Sequence, residues 1–168
     1  MKDYFNFGQR TPSIFEIATA FENGNEGFLQ SQEDDYEETF NKLTDDEKKF
    51  VFRNPRYAYK FNANAEKAKR VGRQFKGTKN GYGDAVRHCY WCALNQISAG
   101  LNSTLAEEFG NAHENTPTNK EQEKQMDLHN NSVGYFLGNQ AIINGWSEEE
   151  LLNQVINAAN NGILKILE

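Results

Sequence analysis

The sequence predicts an all-α protein, a single compact multi-helix domain with a polar pocket between helices. Three features favour this prediction: signatures of helix N-termini recur, glycines follow the helical segments, and strand-like alternation is nowhere sustained. The signature S/T-x-x-E caps the free amides of a first helical turn with two side chains. Five pairs stand where helical patterns begin: Ser13 with Glu16, Thr44 with Glu47, Thr104 with Glu107, Thr118 with Glu121, and Ser147 with Glu150.

The N-terminal segment, residues 1–32, is interpreted as a helix followed by a flexible connection. Residues 22–32, ENGNEGFLQSQ, are polar and contain two glycines, so they bury too little apolar area to offset the entropy of ordering. Residues 33–168 are then expected to form the helical domain.

Proline at the first helical position, in Asn54-Pro55, predicts a long helix that runs to about Gln74. The loop 77–83, GTKNGYG, follows; we interpret it as an ordinary connection, because its spacing matches no nucleotide-binding motif. Later helices are expected over 84–99, 104–114 and 119–140, and glycines that mark helix C-termini include Gly77, Gly100, Gly145 and Gly162.

All three histidines lie between positions 88 and 129, within or beside polar clusters laid over helical patterns. Because an unpaired buried amide or charge costs roughly 2 kcal/mol or more, polar groups at core spacing are expected to satisfy one another across helices. Gly134 and Gly138 are most simply explained by two helices that pack closely. The clusters are Asp84, Arg87, His88 and Trp91; His113 and Glu114; and Asp127, Asn130 and Asn131.

The charge balance argues against general binding to nucleic acid. Eighteen Lys and Arg stand against 24 Asp and Glu, a formal charge of −6, so phosphate neutralisation is not favoured. Residues 53–79 nevertheless hold nine Arg or Lys with Glu66 as the one acid. This basic segment could meet an anionic head group, although a solvated helix face is the simpler interpretation.

No apolar stretch in the sequence is long enough to cross a bilayer, and MKDYFNFGQR lacks the hydrophobic run of a secretory signal. We therefore expect export, where it occurs, either to use a route that needs no cleaved signal peptide or to take place as part of a carrier. Cys89 and Cys92 form a C-x-x-C inside a predicted helix without a second pair, so they are expected to be reduced thiols packed as small apolar groups.

Four segments carry a resemblance: LTDDEKKFVFRNPRYAYKFNANAEKA, GDAVRHCYWCALNQISAG, EFGNAHE and MDLHNNSVGYFLG. Together they resemble a bacterial domain family of unassigned activity that occurs at the C-termini of Rhs-repeat and other polymorphic-toxin proteins. The resemblance covers about residues 43–165 and implies that residues 33–168 are a toxin-like catalytic domain. It implies no substrate. The matching residues are Asp84, Arg87, His88, Trp91, His113, Glu114, Asp127, Asn130, Asn131 and Gly134.

The sequence departs from that pattern at several positions. Val86 replaces an aromatic residue, and Cys89 and Cys92 replace alanine and asparagine, which weakens a role for the thiols. His129 stands where the family often has tyrosine. The run R-H-x-x-W also resembles the histidine helix of small bacterial phospholipases A2, in which histidine activates water, although the paired disulfides and calcium loop of those enzymes are missing.

The residue types predict a hydrolytic site without a cofactor. Imidazole titrates nearest neutrality, and a neighbouring carboxylate can orient it, so His88 with Asp84 or Asp127, and His113 with Glu114 or Asp127, are expected dyads. The planar fork of Arg87 suits a phosphate or a developing oxyanion. The predicted catalytic residues are His88, His113, Asp127, Arg87, Glu114 and Asp84, and the predicted substrate-binding residues are Asn130, Asn131 and Trp91.

From this set we expect an antibacterial effector that hydrolyses a phospholipid or lipid-linked phosphate in the periplasm or membrane of a target cell. Such a protein would have an immunity protein and a secretion carrier as partners. One alternative is a metal-dependent hydrolase or nuclease acting in the cytoplasm, with a divalent ion held by His88, His113 and Asp127. The other is a binding module without turnover, whose polar core fixes helix register.

Overall fold

The computed structural model describes residues 40–116 and 120–167, which fold into a compact helical bundle. Six helices lie within these ranges, which contain no strand, so the all-α prediction is confirmed. The segment assigned to residues 1–32 lies outside the described residues, as do Ser13, Glu16 and Thr118. The helices are α1 (Asp45–Arg53), α2 (Pro55–Gly72), α3 (Tyr82–Ala99), α4 (Leu105–Glu114), α5 (Glu121–Asn144) and α6 (Glu148–Asn160).

Two of the predicted capping boxes are formed. The hydroxyls of Thr44 and Ser147 each accept the amide of the glutamate three residues later, and that glutamate in turn accepts the amide of the capping residue. The box predicted at Thr104 is wrong, because Thr104 already has helical backbone angles (φ −86°, ψ −7°) and makes no side-chain cap. Instead, the Leu105 amide donates to the hydroxyl of Ser103 (3.3 Å).

The other predicted boundaries are close to the observed ones. Pro55 opens α2, which ends at Gly72 rather than near residue 74. Gly100 and Gly145 follow α3 and α5 as predicted, and Gly145 has the left-handed backbone that favours glycine. Helix α5 extends to Asn144, four residues beyond the predicted end.

Helix α3 is the central helix of the bundle, because it packs against α2, α4, α5 and α6. It runs parallel to α5 with a constant offset, since His88 bonds Asn131 and Gln96 bonds Asn139, both 43 positions later. The predicted close packing at the glycines of α5 is confirmed. A Cβ on Gly138 would lie 2.6 Å from the carbonyl oxygen of Ala93, and one on Gly134 would collide with the backbone of Cys89.

An aromatic cluster joins α1, α2 and α4 beside α3. The ring centroids of Phe50 and Phe109 are 4.9 Å apart, those of Phe61 and Phe109 5.5 Å, and Trp91 meets Phe109 edge-on at 5.9 Å. This apolar packing fixes the spacing of the helices that surround the polar residues. Within the described ranges, no helix combines the length and apolar character needed to span a membrane.

Candidate active site

The predicted polar clusters of α3, α4 and α5 converge on one point of the bundle. Asp84 and Asp127 are 43 positions apart, the same offset that pairs His88 with Asn131 across the parallel helices, and Glu114 approaches from the end of α4. These five side chains are buried. The expectation that the clusters satisfy one another is confirmed for His88, Asn131 and Glu114, because Asn131 bonds the other two.

The hydrogen bonds of His88 define its tautomer. Nη2 of Arg87 lies 2.8 Å from Nε2 of His88, and because a guanidinium can only donate, Nε2 is the acceptor. The proton is therefore on Nδ1, which donates to Oδ1 of Asn131 at 3.3 Å and lies 3.6 Å from Oε1 of Glu114. Burial and the charge of Arg87 hold the pKa of His88 well below its usual range. His88 is therefore a neutral imidazole with its lone pair on Nε2.

Two carboxylates flank that lone pair. Oδ1 of Asp84 is 3.7 Å and Oδ1 of Asp127 is 3.5 Å from Nε2 of His88, and neither oxygen accepts a hydrogen bond within the described part of the chain. Asp84 Oδ1 forms an ion pair with the guanidinium of Arg87. Burial, together with the charges of Glu114 and Asp84, raises the pKa of Asp127 to about 7. Asp127 Oδ1 is thus a poorly compensated buried acceptor, whereas Arg87 compensates Asp84 Oδ1.

The second oxygen of Asp84 is held by the loop before α3. Oδ2 accepts the backbone amide of Asn80 at 2.6 Å, and Asn80 has a positive φ of 60°. This loop amide therefore serves a carboxylate of the protein itself, which agrees with the interpretation of residues 77–83 as a connection.

Asp84, His88 and Asp127 could hold a metal ion. One ligand atom from each residue can be chosen so that all three lie within 4.8 Å of one another. This set corrects the predicted one, in which His113 stood in the place of Asp84. His113 is not part of this set, and its Nδ1 is bonded to Glu47.

A cavity of about 470 Å³ opens beside the cluster, a size that suits a small ligand or a lipid head group. Arg87, His88 and His113 line it together with Glu47, and Lys42 and Lys69 also contribute to its lining. Its walls are largely apolar and include Val51, Ala58, Phe61, Ala65, Trp91 and Phe109.

His113 has a different partner from the predicted ones. Its Nδ1 lies 2.8 Å from Oε1 of Glu47, so the dyads expected with Glu114 or Asp127 are replaced by this pair. Burial opposes the charge of His113, but the hydrogen bond and the charge of Glu47 outweigh it and raise the pKa of His113. Burial likewise opposes the charge of Glu47, and the bond from His113 overcomes it and lowers the pKa of Glu47. The pair therefore favours a protonated His113.

Sequence reasoning identified Glu47 as a helix cap and missed it as a site residue. Its Oε2 accepts the amide of Thr44 at 2.7 Å while Oε1 accepts from His113. The capping motif was the one local signal at this position, and 66 residues separate Glu47 from His113. The docking of α1 on α4 is what brings them together.

The predicted substrate-binding residues occupy three different settings. Trp91 lines the cavity, donates its indole N–H to the carbonyl of Phe61 at 3.4 Å, and meets the ring of His113 edge-on at 5.1 Å. Asn131 accepts the hydrogen bond from Nδ1 of His88. Asn130 is not brought to the cluster, because its amide is bonded to both backbone groups of Lys165, at 3.0 and 2.8 Å.

The remaining histidine and the thiols take no part in the cluster. Nε2 of His129 donates to the carbonyl of Ile163 at 2.8 Å. Cys89 and Cys92 are buried free cysteines, as predicted, and burial raises the pKa of Cys89 to about 12. Neutral thiols are poor nucleophiles and poor metal ligands.

The arrangement offers acid–base chemistry next to a permanent cation. The rings of His88 and His113 are 6.5 Å apart and both line the cavity, together with the guanidinium of Arg87. One imidazole is held neutral and the other is held in its protonated form, so one can accept a proton while the other donates one.

Comparison with known proteins gives one match. The model of a family described as Domain of unknown function (DUF6973) matches residues 48–163 of the chain. No curated protein and no solved structure matches significantly. The matched range includes Asp84, His88, Glu114, Asp127 and Asn131, and every residue that lines the cavity except Lys42, Leu43 and Glu47.

Proposed function

Because the chain belongs to the DUF6973 family of unknown function, we propose its activity from the cavity: hydrolysis of a phosphate-bearing envelope lipid, a phospholipid or a lipid-linked phosphate. The observation that carries the proposal is the pair of imidazoles with different partners on one cavity floor. His88 presents a lone pair on Nε2, whereas His113 is ion-paired with Glu47 at 2.8 Å.

His88 acts as the general base and His113 as the general acid. Asn131 and Glu114 hold the proton on Nδ1 of His88, which keeps Nε2 available as an acceptor. Arg87, whose side chain is 37 % exposed, covers Nε2 in the free protein. A phosphate in the cavity would attract the guanidinium and uncover the base, so substrate binding and base activation are coupled.

The reaction transfers one proton at each imidazole. Nε2 of His88 takes a proton from water as the water oxygen forms a bond to the phosphorus or ester carbon of the substrate. The bond to the leaving oxygen breaks, and His113 gives that oxygen its proton. Arg87 stabilises the negative charge that develops in between. The two imidazoles exchange protonation states, and exchange with solvent restores them.

The lining of the cavity supports an amphiphilic substrate. Its apolar walls suit part of a hydrocarbon chain, while Arg87 offers positive charge to a phosphate. Lys69 also lines the cavity and is paired there with Glu66. The resemblance of the motif set to polymorphic-toxin domains supports a role as an antibacterial effector. We propose that the effector acts in the periplasm or membrane of a target cell and has an immunity protein and a secretion carrier as partners.

A metal-dependent hydrolase or nuclease is the second candidate. The specific observation in its favour is that Asp127 Oδ1, which accepts no hydrogen bond within the described ranges, and Asp84 Oδ1 both lie within 3.7 Å of His88 Nε2. A metal ion there would generate hydroxide from bound water. Loss of activity in chelator, recovered with added metal, would favour this second candidate over the first.

Expression in a bacterial host tests the proposal. We expect the wild-type protein to stop growth when targeted to the periplasm, with a change in lipid composition measured by mass spectrometry, and His88→Gln to be harmless. His129→Gln is the matched control, since it alters a histidine of α5 that bonds Ile163 and does not line the cavity. That variant should remain toxic.

Two results would contradict the proposed activity. Toxicity that arises in the cytoplasm alone, with intact lipids, would place the substrate elsewhere and favour the nuclease. If His88→Gln instead lost its melting transition together with its toxicity, the polar cluster would be structural, as in a binding module without turnover. Catalysis predicts lost toxicity with the fold retained.

A further inference from the structure

The guanidinium of Arg87 contacts two of the three candidate metal ligands, His88 and Asp84. Its Nη2 is 2.8 Å from His88 Nε2 and in ion-pair contact with Asp84 Oδ1, and Asp127 Oδ1 lies 3.5 Å from the same His88 nitrogen. The protein thus builds a position for one positive charge between these side chains. The side chain of Arg87 is 37 % exposed, more than those of Asp84, His88 and Asp127, and it also lines the cavity.

The acceptors around this position are less satisfied than buried carboxylates usually are. The side chain of Asp127 is 12 % exposed, yet its facing oxygen accepts no hydrogen bond within the described ranges. The facing oxygen of Asp84, whose side chain is 5 % exposed, is paired with the Arg87 guanidinium. Buried polar atoms normally have partners, and a bound ion is one recognised explanation for an exception. Arg87 contributes a single charge, whereas Asp84, Asp127 and Glu114 are three acids.

The geometry around His88 matches that of a metal-ligating histidine. Such residues bind through one ring nitrogen and donate the other N–H to a carboxylate or carbonyl oxygen, which is the arrangement that Asn131 and Glu114 provide at Nδ1. Two atoms bound to one tetrahedral zinc ion lie about 3.4 Å apart. The distances from His88 Nε2 to the two aspartate oxygens are 3.7 and 3.5 Å.

We propose that Asp84, His88 and Asp127 bind a divalent transition-metal ion that takes the place of the Arg87 guanidinium. The nitrogen ligand favours zinc-like ions over magnesium or calcium, which prefer oxygen ligands alone. Metal and guanidinium compete for the position, so the site holds one cation at a time. Binding itself does not depend on the proposed function, and only the effect of the metal on turnover rests on it.

Binding of cobalt(II), a spectroscopic substitute for zinc, tests this inference on the whole chain after dialysis against chelator. We expect visible absorption bands of a low-coordinate cobalt site at one equivalent, displaced by zinc but not by magnesium or calcium. Arg87→Gln should bind cobalt about tenfold or more tightly, because the competing cation is gone. Asp127→Asn, which keeps the shape of the side chain, should abolish the bands.

His113→Gln is the control variant and should bind cobalt as the wild type does, since His113 is bonded to Glu47 and is not part of the group. Equal affinity of wild type and Arg87→Gln would overturn the competition, and absence of the bands from both would overturn the site. Loss of binding in His113→Gln would return His113 to the ligand set and contradict the proposed one.

Turnover separates this inference from the proposed function. If His88 is the general base, zinc at its Nε2 should inhibit lipid hydrolysis by the wild type, and chelator should restore it. Activation by zinc, with the cobalt results as expected, would leave the metal site intact and replace the proposed reaction by a metal-dependent one.

Discussion

Glu47 links the start of a helix to the chemistry of the cavity. One of its oxygens caps α1 and the other accepts from Nδ1 of His113, while its side chain is 4 % exposed. A carboxylate fixed at both oxygens loses little further entropy when it orients the imidazole. The protonation of His113 therefore depends on a residue whose position is set by helix capping.

Glu47→Gln should lower stability in a defined pH window. Glutamine can still cap Thr44 but cannot stabilise a charged His113. In the wild type, the raised pKa of His113 stabilises the fold fully below pH 6.5. This stabilisation is lost as pH rises through the pKa that His113 has in the folded protein. The lowered pKa of Glu47 stabilises the fold above pH 4.5, and this stabilisation is lost as pH falls through the pKa that Glu47 has in the folded protein.

The loss of stability should therefore be largest between pH 4.5 and 6.5 and fade as pH rises through the folded pKa of His113. Because His113 is 47 % exposed, we expect about 1 kcal/mol at most. Urea unfolding of the wild type and Glu47→Gln at several pH values measures this loss of stability. Arg87 and Glu114, the other charged groups that act on His113, are present in both proteins. A pH-independent loss would mean that the substitution disturbs packing rather than the ion pair.

The residues of the cluster that share one helix could be predicted from the sequence. Their hydrogen-bond partners on other parts of the chain could not. Asp84, Arg87 and His88 share a face by periodicity, which is a local property. Asn130 and Asn131 are adjacent and both buried, and spacing alone could not show that Asn131 bonds His88 while Asn130 bonds Lys165. The partner of His113 likewise depends on how α1 and α4 dock.

At the scale of helices, capping motifs act in some places and not in others. Thr44 caps α1 through its hydroxyl, which also donates to the carbonyl of Ala112 at 3.0 Å and so ties α1 to α4. Thr104 occupies the same position before α4 and makes no cap. The two threonines thus form a matched pair within one protein.

Thr44→Ala should lower the free energy of unfolding by about 1 kcal/mol, because an amide of the first turn loses its acceptor. Thr104→Ala should change it by less than about 0.5 kcal/mol, since Thr104 is exposed and caps nothing. Urea titrations of both variants at neutral pH measure the difference. Equal losses would show that Thr104 caps α4 in solution.

Helix positions were well predicted because caps, proline and glycine act through the nearest few residues. The prediction at Thr104 was wrong because the motif also occurs where the threonine has helical backbone angles, and its hydroxyl then caps no amide. The parallel arrangement of α3 and α5 had no such local signal. The glycines at 134 and 138 predicted close packing of two helices but not their relative direction.

At the scale of the whole molecule, residues 161–167 fasten the end of the described chain to the site. Leu164 is buried, and the backbone of Lys165 is clamped by the amide of Asn130. The amide of Leu167 donates to the carbonyl of Asn80 at 2.9 Å, and the amide of Asn80 donates to Asp84. Backbone contacts therefore connect this segment to a carboxylate of the cluster.

Asn130→Ala should release this segment and lower the free energy of unfolding by about 1–3 kcal/mol, because the backbone N–H and carbonyl of Lys165 lose their hydrogen-bond partners. Hydrogen exchange should show faster exchange at Lys165 and Leu167. Ser132→Ala, an exposed change on the same helix, is the control and should leave exchange there unchanged. Continued protection in Asn130→Ala would mean that Leu164 alone anchors the segment.

The directions of the helices themselves polarise the site. Peptide dipoles sum to a partial positive charge at a helix N-terminus and a partial negative charge at its C-terminus. Asp84 lies in the first turn of α3, and His113 and Glu114 lie in the last turn of α4. The backbone thus favours an anion at Asp84 and a cation at His113, by about 0.3–1 kcal/mol each. No side-chain substitution removes that field, so variants of Arg87 or Glu47 should retain part of the charge separation.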